Sequence, residues 1–181
     1  NDTEVITPNW IEAMLGLAQQ PDIAAVGAKL YYPGRKVIQH AGVGIGFGGF
    51  AANALTMLED TGLGPQQHLY LFTTHDMSAV TAACLMISKQ KFDEVNGFDE
   101  KFRITYNDVD LCLRLLEKGY RNVYAAEVRL VHYESISLGR PNQKRRDDTE
   151  FRKAQKLFRK TWKKYVDHDP ALNPNILRDN A

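Results

Sequence analysis

Cysteine is scarce in this chain: two occur in 181 residues, Cys84 and Cys112, each inside an apolar run, TAACLMI and DLCLRLL. No C-x-x-C pair exists, which excludes zinc held on paired thiolates, and the two thiols read as small buried hydrophobes in a reducing compartment rather than as a disulfide. Long apolar runs are also missing. Nothing approaches the about 20 consecutive apolar residues of a membrane-spanning helix, and no basic-then-apolar signal opens the chain, so self-insertion and secretion are not expected. Three chemistries lack their motifs as well. There is no G-x-G-x-x-G between a strand and a helix for a dinucleotide, no Gly-rich loop ending in Lys-Ser/Thr for a nucleoside triphosphate, and no G-x-S-x-G elbow for a serine nucleophile.

With hydrophobic residues at 44% and charged residues at 25%, the composition is that of an ordinary globular protein with one sizeable core. The formal net charge of +1 conceals an asymmetry: residues 140–164 hold eleven Lys or Arg against Asp147, Asp148 and Glu150, a local +8 that leaves −7 for the remainder. Whatever meets that stretch should be acidic. No stacking platform or nucleic-acid motif accompanies the charge, so the expected anionic partner is a membrane surface touched peripherally, or an acidic face of the protein, and not nucleic acid.

Local patterning predicts alternating helices and strands. Thr7 before Pro8 reads as an N-cap, and the helix that follows carries Ile11, Met14, Leu15 and Ala18 on one face. Residues 24–32 read as a strand, the glycine-rich 37–50 as a ribbon or loop whose backbone approaches something closely, and 53–75 as a long excursion. Residues 78–90 are the strongest strand candidate, followed by a helical turn over 89–95 that ends at Gly97. A helix capped by Asn107 or Asp108 has Val109, Cys112, Leu113 and Leu116 at helical spacing and Gly119 past its end. Residues 122–133 read as one strand or two. From Asp148 a basic amphipathic helix follows, with Phe151, Ala154, Leu157, Phe158, Trp162, Tyr165 and Val166 on its packing side and Pro170 as its stop.

Several side chains are candidates for chemistry. Asp108 and Asp110 are two apart on a helix and so face different ways. Asp108 is therefore either a helix cap or a general base held on a rigid helix end, with Asp110 ordering its surroundings. His132, at the end of the apolar RLVHY, is either a satisfied histidine or a ligand. Asp2, if a strand precedes it, lies where open α/β sheets place their ligands, and an oxygen ligand with a histidine would suit Mn²⁺ or Mg²⁺ on a pyrophosphate leaving group. Their distance in sequence leaves that open. His40 beside the glycine run, with His75 and Asp76, would line a pocket.

Residues 80–135, VTAACLMISKQKFDEVNGFDEKFRITYNDVDLCLRLLEKGYRNVYAAEVRLVHYES, combine an apolar segment, a phenylalanine, G-F-D-E, an acidic opening to D-L-C-L-R, G-Y and a late histidine. In that combination, and in the opening NDTEV, the chain resembles the inverting glycosyltransferases of family 2, with the GT-A fold, and among them the rhamnosyl-type enzymes of cell-surface polysaccharides. The resemblance runs from residue 1 to about 137. It implies an α/β fold: a truncated GT-A nucleotide-diphospho-sugar transferase with an incomplete mixed sheet. Residues 1–137 would be the C-terminal half of that domain, and 138–181 a linker, the basic amphipathic helix and a loose tail.

The resemblance also implies roles. Asp2 and His132 would hold Mn²⁺ or Mg²⁺ on the donor diphosphate, and Asp108 would deprotonate the acceptor hydroxyl. His40, Asp76, Ala82, Ala83, Asp99, Glu100 and Asn107 would border the sugar and acceptor. Where many members have glycine this chain has Ala82, and where the acidic pair usually reads Glu-Asp it has Asn107-Asp108. The implied partners are a nucleoside-diphosphate sugar and a hydroxyl acceptor, a glycan or lipid-linked glycan, at the cytoplasmic face of a membrane. With the nucleotide-binding half missing, the expectation is an inactive piece whose exposed sheet edge invites a homodimer. The alternative is a catalytically silent module that binds anionic surfaces.

Overall fold

The computed structural model describes residues 2–34, 36–103, 105–133 and 149–172. In chain order it contains β1 (Thr3–Val5), α1 (Trp10–Ala18), β2 (Ile23–Tyr31), β3 (Ile38–His40), β4 (Val43–Ile45) and β5 (Ala51–Asn53). There follow α2 (Pro65–Phe72), β6 (His75–Met77), β7 (Leu85–Met86), α3 (Lys89–Glu94), α4 (Asn107–Glu117), β8 (Arg121–His132), α5 (Thr149–Thr161) and α6 (Lys163–Asp167). Residues 134–148 and 173–181 lie outside the described residues, and with them the linker and the loose tail expected within 138–181.

β2, IAAVGAKLY, is buried at every position, as a strand covered on both faces must be. It runs parallel to β8, and the remaining pairings are antiparallel. The order is β1-β8-β2-β3, with β6 also on β8 and β7 also on β2, which gives a mixed sheet of six strands. This mixed α/β architecture is the one expected from the sequence, and it is consistent with the glycosyltransferase fold.

β8 is one strand with an interruption. Its register against β2 jumps between Ala28↔Ala125 and Lys29↔Arg129, so residues 126–128 bulge out. The first half of β8 then pairs with β6 and the second half with β1. Two threonine hydroxyls take up the backbone groups that the bulge releases: Thr7 accepts from Arg129 N and donates to Glu127 O, and Thr74 accepts from Ala126 N. Thr7 is thus not the helix cap that its place before Pro8 suggests. α1 starts three residues later, at Trp10.

One face of the sheet is closed by α1, whose Met14 and Ala18 meet Val26, Ala28, Val123 and Leu130. Of the four residues expected on its packing face, Ile11 and Leu15 are half exposed. The other face is closed by α4, the β4–β5 ribbon and α5, through Leu111, Leu113, Tyr124, Phe158 and Trp162. The strand expected over residues 78–90 does not form. Those residues divide among an extended stretch, a 3₁₀ turn at Ala82–Cys84, the two-residue β7 and the start of α3. The reason is close approach: a Cβ on Gly27 would lie 2.4 Å from Val80 Cβ, so the segment is pressed onto β2 before any ladder can run its length. The long excursion over 53–75 likewise contains a helix, α2, begun by Pro65 at its first position.

Glycine density at 42–49 does produce a ribbon, the β4–β5 pair. At Gly46 the backbone is left-handed, φ +97°, and a Cβ would meet the Val166 carbonyl oxygen at 2.7 Å. The close approach read from the glycines is therefore to α6, the last of the described helices. Asp169, just beyond that helix, is buried and binds the ribbon through Ile45 N at 2.7 Å and the Ser78 hydroxyl.

Candidate functional site

α4 begins abruptly. The residue before it is Tyr106, not Asn107 or Asp108; its backbone is left-handed, φ 67°, and its ring stacks on Phe158 at 4.6 Å. Asn107 and Asp108 fall in the first helical turn, half-buried. The Asp108 carboxylate is fixed from two sides, since Oδ2 accepts Ala82 N at 3.0 Å and Oδ1 accepts Val109 N at 2.9 Å. Ala82 thus contacts Asp108 through its backbone, while the residue itself is exposed, and Ala83 follows in the same 3₁₀ turn.

Asp110 points the other way, into the protein. It accepts Arg114 Nε at 2.8 Å and Trp162 Nε1 at 2.9 Å, and the same guanidinium donates to Val95 O and Gly97 O. One buried carboxylate therefore ties α4 to the break between α5 and α6 and to the G-F-D-E segment. Asp99 in that segment accepts Lys101 N at 2.9 Å, and this backbone bond holds its carboxyl below the ordinary range. Glu100 beside it is exposed.

At the C-terminal end of β8, His132 Nε2 lies 3.3 Å from Asp2 Oδ1, and Tyr133 N donates to Asp2 O. The two residues stand together because β1 pairs with β8 in the register Thr3↔His132. Gln39 holds the ring: its Oε1 takes the Nδ1 proton at 2.7 Å and its Nε2 donates to the His132 carbonyl at 3.3 Å. This tautomer turns Nε2 toward Asp2 with the ring orientation fixed, as metal-bound histidines are. Among the described residues no third His, Cys, Asp or Glu joins the pair. A carboxylate and an imidazole nevertheless fit a small divalent cation that takes its other ligands from phosphate oxygens and water.

His40 connects the two ends. It is fully buried, its Nδ1 donates to Asn53 Oδ1 at 2.8 Å, and its Nε2 accepts Gly42 N at 3.3 Å and Thr81 N at 3.4 Å. It was expected to border the pocket; it lies beneath, bracing the turn that carries Ala82. Burial lowers its pKa to about 4. The unfolded chain then binds more protons than the native one between that value and the ordinary 6.5, so stability rises with pH across this window and the contribution of neutral His40 is complete above it. Urea unfolding should show a loss approaching ~3 kcal/mol between pH 7.5 and pH 4.5, and His40→Gln should flatten most of that slope.

Asp76 is not part of the group. It sits against the first residues of β8, exposed, with both carboxylate oxygens on Arg121, whereas His132 ends that strand. His75 beside it is held by Thr73 O and by the rings of Tyr70 and Tyr124. A polar run thus links five of the candidates, Asp108, Ala82, His40, His132 and Asp2: Asp108 to Ala82, Thr81 to His40, neighbouring Gln39 to His132, and His132 to Asp2. Gln39 and Asn53 were not singled out from the sequence. A glutamine before a histidine in the apolar VIQHAG was the available signal for the first, and Asn53 carried none.

No family model matches the chain. The chain is 41% identical over 184 residues to the uncharacterized protein y4gI of Sinorhizobium fredii, an alignment covering 97% of this chain and 19% of that protein. It is 40% identical over 139 residues to the O-antigen biosynthesis protein RfbC of Myxococcus xanthus, covering 76% of this chain and 11% of that one. Over 61 residues it is 34% identical to the N-acetylglucosaminyl-diphospho-decaprenol L-rhamnosyltransferase of Mycobacterium tuberculosis, covering 34% and 20%. The chain spans about a fifth or less of the length of these relatives. They bear out the resemblance to rhamnosyltransferase-like glycosyltransferases.

Proposed function

We propose that this relative of the rhamnosyltransferases carries the acceptor-side and catalytic part of an inverting, metal-dependent glycosyltransferase, with a nucleoside-diphosphate deoxysugar as donor and a hydroxyl of a glycan or lipid-linked glycan as acceptor. The observation that supports it best is the polar run from Asp108 to Asp2, which sets one carboxylate and a carboxylate–imidazole pair at the two ends of a single braced surface.

In this reading Asp108 accepts the proton of the acceptor hydroxyl while that oxygen bonds to the anomeric carbon. The bond from that carbon to the diphosphate breaks on the opposite face, so one displacement inverts the centre. Asp2 and His132 would hold Mn²⁺ or Mg²⁺, whose positive charge would stabilise the departing diphosphate. Ala82 N aims Asp108, and Gln39 aims His132. Ala83, Asp99, Glu100 and Asn107 border the acceptor. Among the described residues no helix is long and apolar enough to cross a membrane. Peripheral contact on the cytoplasmic side, through the basic face of α5, would bring a lipid-linked acceptor within reach. No strand pairs with the outer edge of β1 among the described residues, and a second copy would close it there.

Calorimetric titration of UDP, GDP and dTDP tests the donor side, with and without Mn²⁺, in this chain and in a version extended on its N-terminal side. Nucleotide binding that Mn²⁺ strengthens, and an Asp2→Ala variant that loses only the Mn²⁺-dependent part, by tenfold or more, are the expected results. Absence of nucleotide binding in both proteins would sink the transferase reading.

A further inference from the structure

Among the described residues, the non-glycine positions with a positive φ are Leu55, Met57, Asn96 and Tyr106. Tyr106 is the one that opens α4, at φ 67° and ψ 4°. A tyrosine in the left-handed region crowds its Cβ against the backbone, and such a conformation persists only where surrounding contacts impose it. Here they do. The residue is buried, its ring stacks on Phe158 with the planes 20° apart, and Phe102 meets the same Phe158 edge-on at 6.4 Å. Tyr106 O accepts Asp110 N at 2.8 Å. The strained residue therefore stands two positions before the Asp108 carboxylate.

α4 is also seated lengthwise on the segment that holds Asp108. Asp108 and Cys112 are four apart and share one face of the helix. Asp108 accepts Ala82 N, and Cys112 Sγ reaches Val80 O at 3.7 Å, so that face lies along residues 78–82. Asn122 fastens the two further on, donating through Nδ2 to Ser78 O at 3.0 Å and to Cys112 O at 2.9 Å. Ser78 and Val80 are fully buried, whereas Ala82 is exposed. A tilt of α4 against this segment would part Asp108 from Ala82 first.

The C-terminal helices grip both sides of that seam. On the helix side Phe158 holds Tyr106, and Trp162 Nε1 donates to Asp110. On the other side Asp169, just beyond α6, accepts the Ser78 hydroxyl and Ile45 N. Three contacts from residues 158–169 thus fix the helix and the segment relative to each other.

We propose that Tyr106, clamped by Phe158, is a positioning residue for Asp108, and that α5 and α6 are the brace that keeps this carboxylate on Ala82 N. The inference rests on the transferase reading for what Asp108 does, and its test separates the two.

The readout is exchange of the Ala82 amide in this chain, followed by NMR. Ala82 is exposed, so its amide is protected by the Asp108 carboxylate. Such an amide exchanges by local opening, whereas the amides of the buried β2 need wider unfolding. A purely structural loss would speed β2 and leave Ala82 at its parent rate. Asp108→Ala marks the released limit. Tyr106→Gly removes the ring yet adopts the left-handed conformation freely, and it should speed Ala82 about tenfold, toward that limit. Phe158→Leu keeps most of the buried volume without the flat ring; it should do the same, and it carries the test if the glycine variant does not fold. Tyr106→Phe keeps the stack and should stay within about twofold of the parent. In the whole protein with a hydroxyl acceptor, kcat should fall at least about tenfold in Tyr106→Gly and Phe158→Leu, while KM for the nucleotide sugar stays within about twofold. Parent-rate exchange at Ala82 in the folded variants would overturn the proposal, and so would faster exchange with kcat unchanged. If Ala82 is released as expected and even the parent protein transfers no sugar, the brace stands and the transferase reading falls.

Discussion

Replacing Asp108 by asparagine is expected to lower the rate of sugar transfer by about 10²- to 10⁴-fold, the range that a positioned general base contributes. Asparagine keeps the shape and can still accept Ala82 N through its amide oxygen, so α4 should begin as before. What it removes is the capacity to take a proton. Nucleotide affinity with Mn²⁺ should therefore stay within twofold of the parent while kcat collapses, measured with the whole protein and a hydroxyl acceptor. Retention of more than a tenth of the parent kcat would move the base elsewhere, whatever the structural role of Asp108.

The larger structural effect belongs to Asp110→Ala. This side chain is almost fully buried, and its removal strands two donors at once, the Arg114 guanidinium and the Trp162 indole N–H. Breaking a buried pair by deleting one partner costs about 3–5 kcal/mol, and because Arg114 retains some access to water the lower part of that range applies. Urea unfolding should show a loss of ~3 kcal/mol. Trp162 is one of only two tryptophans, so its emission should shift toward the solvent-exposed value as the junction of α5 and α6 loosens. A loss under ~1 kcal/mol would mean that α5 is held by its aromatic contacts alone. Asp110→Asn, which still accepts one of the two bonds, should fall between.

The two carboxylates show how far local pattern carries. Their separation by two residues on a helix was enough to say that they face different ways, and the structure has Asp108 on Ala82 at the surface and Asp110 buried on Arg114 and Trp162. Which of them is at the surface, and what each meets, depended on Ala82 and Trp162, and those contacts come from elements far away in the chain. Asp76 lies apart from the Asp2–His132 pair for a related reason. Proximity in sequence to the apolar segment at 78–87 suggested a shared pocket, but β6 runs against the start of β8, at the end remote from His132. His40 is placed by something else: the glycines beside it did mark a close approach, yet of Gly46 backbone to α6, and the ring itself is enclosed by Asn53 and the backbone of Gly42 and Thr81.

Periodicity and glycine placement by themselves determined the central strand, the α4 and α5 helices and the ribbon at the glycine run, and the quoted motifs carried the resemblance to the rhamnosyltransferases. These depend on the chemistry of neighbouring residues, which is present in any window of ten to twenty. Tertiary structure alone decided that Asp2 meets His132, that Gln39 and His40 brace the space between them and Asp108, and that Thr7 fills a bulge instead of capping a helix. Each of these is a contact across scores of residues, set by strand register and by the need to pair every buried polar group, and neither is written in the spacing of the residues concerned.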